Sequence, residues 1–197
     1  MRWAVAHPEW ALGFEDEVWF SRVSQPSLHS WADPDQPLRM VEQTVAKQDP
    51  DPKALACYGL LLPEFHHVWL RFVTGRPVSA TTTEFLDWCC TRLAAEGKTA
   101  LLLVWDNASW HVSAAVRGWI RAHNRAVKQG EAQVRIISCF LPVKSPWLNA
   151  IEPHWVHAKR KVSQPDRLLG ARELEERVCA SFDCPLDAHL SIPQTVA

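Results

Sequence analysis

Thr99-Ala100-Leu101-Leu102-Leu103-Val104-Trp105-Asp106-Asn107 is the stretch on which the fold turns. From Ala100 to Trp105 the run is apolar without a break. A strand with one wet face would alternate; a continuous run is the mark of a strand covered on both sides, as in an α/β sheet. In such sheets ligands gather beyond the carboxyl ends of the strands. Asp106 stands at that end, followed by Asn107.

The elements on either side fit the same class. Residues 54–62 and 66–73 read as a hairpin across Pro63-Glu64, and 81–96 as a helix closed by Gly97. Residues 112–129 read as a helix, 134–141 as a strand and 142–146 as a loop. A helix then begins near Asn149 or Glu152 and runs to about Val162, and a last one covers 171–181. Residues 24–53, rich in Pro, Asp, Gln and Ser, read as loops. Near the start, Leu12, Phe14, Asp16, Val18 and Phe20 alternate with Glu15, Glu17, Trp19 and Ser21, the period of a strand. The order predicts an α/β fold with a mixed five-stranded sheet and helices on its faces.

Composition limits the function classes. The chain has 197 residues, 47% of them apolar, and a formal net charge of −1. That supports a packed core and excludes a disordered chain. A single domain over 1–183 with a frayed tail over 184–197 is expected. No apolar run reaches the ~18–20 residues of a membrane helix, and the first residues have no apolar core of the signal-peptide kind. The six cysteines form no Cys-x-x-Cys pair, so reduced, buried thiols are expected rather than disulfides or zinc ligands. A cytoplasmic protein with no membrane partner follows.

Charge is unevenly placed. Residues 111–161 hold nine Lys/Arg against two Asp/Glu, a balance of +7. Such a stretch in a chain of neutral pI suits a local polyanion track rather than a general nucleic-acid coat. Arg117, Arg121, Arg125 and Lys128 recur on one side of the 112–129 helix and read as a solvated face. Eleven tryptophans are many for this length; most belong to packing, and a minority have the chemistry to stack on bases.

Three acids stand where they could meet: Asp16 mid-strand on the apolar side, Asp106 at a strand end, and Glu152 in the first turn of a helix. A buried carboxylate at Asp16 would need a cation, a metal or hydrogen bonds to compensate it. Glu15 and Glu17 fall on the opposite side, where they need no such compensation. Converging carboxylates form a hard oxygen site suited to Mg²⁺ or Mn²⁺, and two such ions can drive phosphodiester cleavage. Structural readings compete: Asp106-Asn107 also suits a turn, and Asn149-x-x-Glu152 also suits a helix cap with Pro153 in the first turn. His66 and His67 alternate across a strand and cannot share a metal.

Three blocks then carry a resemblance: Phe14-Glu15-Asp16-Glu17-x-x-Phe20; Val104-Trp105-Asp106-Asn107-Ala108-x-x-His111; and Leu141-Pro142-x-x-Ser145-Pro146-x-Leu148-Asn149-x-Ile151-Glu152-x-x-Trp155-x-x-x-Lys159-Arg160. In order and spacing they resemble the DDE transposases of the mariner-like superfamily, in particular the bacterial insertion-sequence branch called six-thirty. The third block is the most specific. The resemblance implies an RNase H-like catalytic domain with Asp16, Asp106 and Glu152 as a metal triad binding Mg²⁺ or Mn²⁺, two ions in all. It implies DNA as partner, at element ends and target, and a homo-oligomer in a synaptic complex. Asn107, His111, Asn149, Lys159, Arg160 and Lys161 are the expected DNA-facing residues, with His157 near them. Family members usually carry a helix-turn-helix region before the first acid, and only 15 residues precede Asp16. A separately encoded helix-turn-helix chain, or an inert remnant, would account for that. Another RNase H-like nuclease is the remaining alternative.

Overall fold

A computed structural model describes residues 6–23, 44–162 and 167–192. Among them run strands β1 (Trp10–Ser21), β2 (Ala54–Leu62), β3 (His67–Val73), β4 (Ala100–Trp105) and β5 (Arg135–Phe140). The helices are α1 (Ser79–Ala95), α2 (Ala114–Gln129), α3 (Glu152–Val162) and α4 (Ala171–Ser181). The strands make one sheet of order β3-β2-β1-β4-β5. β1–β2 and β2–β3 pair antiparallel, while β1–β4 and β4–β5 pair parallel. The mixed five-stranded sheet expected from the sequence is present.

Each face of the sheet has its own core. On one, Phe85, Leu86, Cys89 and Leu93 of α1 and Val116 of α2 meet Tyr58, Leu60, Leu101, Leu103 and Trp105. On the other, Ile151, Trp155, Ala158 and Val162 at α3 and Leu174 and Val178 of α4 meet Phe14, Val18, Phe20 and Leu61. Burying each such side chain contributes about 1.5–3 kcal/mol, which fixes the helices to the sheet. α2 is capped by Ser113, whose hydroxyl accepts from the Val116 N–H, and closed by Gly130 at φ 77°.

Two expectations are corrected. β1 does not have a wet side. It is the middle strand, and α1 and α2 cover the face that carries Glu15 and Glu17. Glu15 is fully buried, and among the large apolar residues of β1 only Trp19 is exposed. Nor does the tail start at 184. Leu190 is fully buried beside Val73 of β3. Its N–H donates to the Phe72 carbonyl and its carbonyl accepts from Thr74, each at 2.8 Å. Arg71 Nε donates to the Ala188 carbonyl at 2.6 Å. An apolar anchor and free backbone groups on β3 hold this segment down; residues 193–197 lie outside the described residues, as do 24–43 of the expected loops.

At the other side of the sheet, the Asn124 amide of α2 accepts from the Ile136 N–H at 2.9 Å and donates to the Ile136 carbonyl at 2.8 Å. His123 Nε2 donates to the Val134 carbonyl at 2.8 Å. The buried Arg22, just past β1, donates to Asp49 and to the Leu169 carbonyl, tying the 44–53 segment and the approach to α4 to the sheet. All six cysteines are unpaired. No helix among the described residues is long and apolar enough to cross a membrane.

Candidate active site

Strand register sets the first two acids. Phe14 pairs with Val104 in the parallel β1–β4 ladder. Asp16 follows within β1, and Asp106 is the first residue after the end of β4, so both lie just beyond the last paired level of this ladder. Glu152 opens α3, and Ile151 and Trp155 plant that helix against the Phe14–Val18 side of β1. The Glu152 charge reaches Asp16. Burial first, then Glu152, then Glu17 push the Asp16 carboxyl up to about 7.

Asp16 is held by a neutral donor. Trp155 Nε1 donates to Asp16 Oδ2 at 3.0 Å. The indole fits there because of Gly59, which pairs with Asp16 across β1–β2. A Cβ at Gly59 would come within 2.3 Å of the Trp155 ring. The lone glycine within β2 is thus the gap the ring fills, a close approach that a strand glycine signals.

Asp106 is held by an ion. Its Oδ1 takes hydrogen bonds from His111 Nδ1 and from the Ala108 N–H, each at 2.8 Å. His111 is fully buried and stacks on Trp105, centroids 4.6 Å apart. Its Nε2 lies 3.1 Å from Glu17 Oε1 and 3.3 Å from Glu15 Oε2. Trp110 Nε1 donates to the same Glu17 oxygen at 2.7 Å. With carboxylates at both ring nitrogens, His111 is an imidazolium. Burial alone would lower its pKa, but the Glu15 charge and the Asp106 and Glu17 hydrogen bonds raise it to about 11. The His111 hydrogen bond in turn lowers Asp106. Burial, then the Glu17 charge, pushes Glu15 upward.

The remaining sequence-predicted residues divide by burial. Asn149 is buried, and its Nδ2 donates to the Glu15 carbonyl at 2.9 Å. That bond pins the turn before α3 onto β1. His111 and Asn149, expected to face DNA, are thereby corrected to internal positioning groups. Asn107 is exposed at the surface, and its amide donates to the Leu141 carbonyl at 2.6 Å, linking the loops after β4 and β5. Lys159, Arg160, Lys161 and His157 are exposed along α3, as are Arg117, Arg121, Arg125 and Lys128 along α2. Glu15, Glu17, Gly59 and the Trp155 N–H had no assigned role in the sequence reading. The isolated glycine was the available signal for two of them.

Among the described residues, one group brings three possible ligand atoms within 4.8 Å of one another: Glu15, Glu17 and His111. That group already contains its cation, the imidazolium. Asp16 and Glu152 do not; they repel each other in a partly buried setting. Asp16, Asp106 and Glu152 are not brought within that distance of one another; what they offer a divalent cation is their chemistry, hard carboxylates of which Asp16 and Glu152 repel each other and Asp106 takes both its hydrogen bonds on Oδ1.

The family model described as DDE superfamily endonuclease matches residues 11–175. The chain belongs to this DDE family. Solved structures agree on an RNase H-like fold for the DDE domain. A Mos1 transposase paired-end complex with the left transposon end is 15% identical with a TM-score of 0.61, covering 90% of this chain and 49% of that one. A Mos1 mariner paired-end complex with Mn is 17% identical with a TM-score of 0.59, covering 90% and 49%. The catalytic domain of Mos1 mariner transposase is 14% identical with a TM-score of 0.53, covering 93% and 75%. The DDE domain thus spans about half the length of the Mos1 chains in those complexes. No curated protein matches the sequence.

Proposed function

We propose that the chain is the catalytic domain of a transposase of the insertion-sequence six-thirty type, cutting DNA at element ends and joining the freed 3′-hydroxyl to target DNA. The observation that supports this is Asp16 on β1 and Asp106 just beyond the end of the neighbouring parallel strand β4, with the Glu152 charge acting on Asp16. In this reading Asp16, Asp106 and Glu152 hold a pair of Mg²⁺ or Mn²⁺ ions. When bound, such ions supply positive charge to the attacking and leaving oxygens of a phosphodiester. In this reading His111 orients Asp106 and Trp155 orients Asp16. The exposed Lys159, Arg160 and Lys161 at the C-terminal end of α3 would contact backbone phosphates, and Asn107 would stand at the rim. A homo-oligomeric synaptic assembly, and a separately encoded helix-turn-helix chain for end recognition, belong to the same proposal. So does a cytoplasmic setting, which the six unpaired thiols support.

The test is cleavage of duplex DNA carrying the element ends in Mn²⁺, by the full chain and by Asp106→Ala, with the folded state of each checked by circular dichroism. Wild type should cut and Asp106→Ala should not. Cutting by Asp106→Ala would overturn the assignment, and preferential cutting of an RNA–DNA hybrid would turn it towards another RNase H-like nuclease.

A further inference from the structure

We propose that the outward face of α2 is a track for the phosphate backbone of duplex DNA, separate from the three acids; this rests on the proposed function and adds a second contact surface to it. Arg117, Arg121, Arg125 and Lys128 are all exposed there. They follow one another at four, four and three residues, which sets them in one row along the helix. At about 1.5 Å per residue the row is about 16 Å long. The opposite side of α2 holds it to the sheet. Val116, Trp119 and Ile120 join the core there, and His123 and Asn124 bond to the backbone of Val134 and Ile136. The four cations therefore stand on the side turned away from the fold.

Two observations set this face apart from an ordinary solvated one. The first is charge. α2 holds no acidic residue, and among the described residues none of the four cations has an ion pair or a side-chain hydrogen bond. Neighbours along the row are like charges at i,i+4 and i,i+3, an arrangement that weakens a helix. α4 is the contrast: Arg172 pairs with Glu176 at 2.8 Å and Arg177 with Glu173 at 3.0 Å, each four residues apart. The second is Gly118, inside α2. A Cβ there would meet nothing within 4 Å, so packing does not call for a glycine, and a glycine within a helix lowers its stability. One turn to either side stand Ala114 and Ala122, both exposed. The surface beside the cations is thus low, and a missing side chain is what lets a partner's backbone come close.

Charge and shape together decide the occupant. A protein surface meeting this row would need acids in line over its whole length. Duplex DNA carries one charge per about 1.7 Å of axis and presents it as a straight, even rod. The row spans about five base pairs, at about 3.4 Å each. Three of the four cations are arginines, whose planar fork suits the paired oxygens of a phosphate. Contacts of this kind position a duplex without reading its sequence. α2 and α3 cover opposite faces of the sheet, so the length of duplex on α2 is not the one proposed for Lys159, Arg160 and Lys161. It is a stretch away from the reacting phosphodiester.

The experiment is equilibrium binding of the full chain to a short, fully paired, labelled duplex across a series of NaCl concentrations. Ca²⁺ replaces Mg²⁺ so that binding is read apart from cutting. Arg121→Ala/Arg125→Ala is compared with Lys53→Ala/Arg76→Ala, which removes the same charge from exposed positions elsewhere. Circular dichroism checks the fold of each; alanine is the better helix former, so the α2 pair keeps its helix. In wild type, log affinity should fall linearly with log salt. The α2 pair should reduce that slope by about two, close to one for each lost phosphate contact, and weaken binding to unrelated duplex sequences alike. Arg121→Lys/Arg125→Lys should keep most of the slope. Gly118→Leu adds bulk without charge and should weaken binding as well. An unchanged slope in the α2 pair overturns the proposal and leaves the DDE reading standing, with the face merely solvated. An equal drop in Lys53→Ala/Arg76→Ala also overturns it, since net charge alone would then be responsible. A wild type that binds no duplex overturns this proposal and the proposed function together.

Discussion

Asp16 lies on β1 and Asp106 just past the end of the neighbouring β4, yet the fold treats them in opposite ways. Asp106 is given a permanent counter-ion: buried His111, wedged between it and Glu17 and stacked on Trp105. Its carboxyl is lowered and stays ionised. Asp16 receives one neutral N–H from Trp155 and faces another carboxylate. Its carboxyl rises to about 7. The difference shows which half of the site is complete in the folded chain and which half waits for positive charge from outside. In the proposed metal site Asp106 would be a pre-formed ligand, whereas Asp16 would become fully ionised only with a cation beside it.

The sharpest way to break this comparison is His111→Ala. It would leave Glu15, Glu17 and Asp106 without their shared cation, and stranding buried charge typically costs about 3–5 kcal/mol. For a chain of this size that is a melting temperature lower by about 10 °C. An unchanged melting temperature would mean that the imidazolium is not what holds the acids together.

Gly59→Ala attacks the other side. With 2.3 Å between the new Cβ and the Trp155 ring, the indole must move, and overpacking of this kind costs about 1–3 kcal/mol. Urea denaturation should show the loss, and metal affinity should fall with it because Asp16 loses its donor. Retained stability and metal affinity would show that the ring is not seated by the glycine.

The smallest effect is the most diagnostic. A folded-state pKa of about 7 for Asp16, against about 3.9 in the unfolded chain, means that the folded chain binds the extra proton between those values. Stability then falls as pH rises from about 4 to about 7 and stays low above. Asp16→Asn removes the penalty. Without divalent metal it should be more stable than wild type at pH 8, with the gap closing towards pH 4. Mn²⁺ should reverse the order, since a ligand at a hundred times its dissociation constant stabilises the binding form by about 2.7 kcal/mol. Melting curves across pH, with Mn²⁺ or a chelator, check both halves. A gap independent of pH would contradict the account of Asp16.

Much of this arrangement was legible in the sequence because it is written in periods. The apolar run 100–105, the 54–62 strand and the 171–181 helix are self-contained local patterns, and the structure places them within a residue of the expected bounds. What alternation could not show was β1. Period two tells two faces apart but not which of them a distant helix will cover, and Glu15 is buried by α1 and α2, far along the chain. His111 and Asn149 were misread for a related reason. A polar side chain near an acid looks like a ligand contact until the packing shows that it points inward, and Asn149 reaches a carbonyl 134 residues away. The close approach of Trp155 to Gly59 likewise depends on a helix docking onto a strand, which no local window contains.

The side-chain and C-terminal contacts along the outer strands have a consequence of another kind. A sheet ends where its outermost backbone groups run out of partners, and open ends invite copies of the same chain to add on, strand after strand. Here Leu190 takes up the Phe72 carbonyl and the Thr74 N–H at the end of β3, while Asn124 and His123 take up backbone groups of Ile136 and Val134 at the start of β5. Each outer strand is therefore obstructed at one end against pairing with another chain. A strand added there would first have to displace these contacts, which disfavours the continuous strand pairing that leads towards polymer.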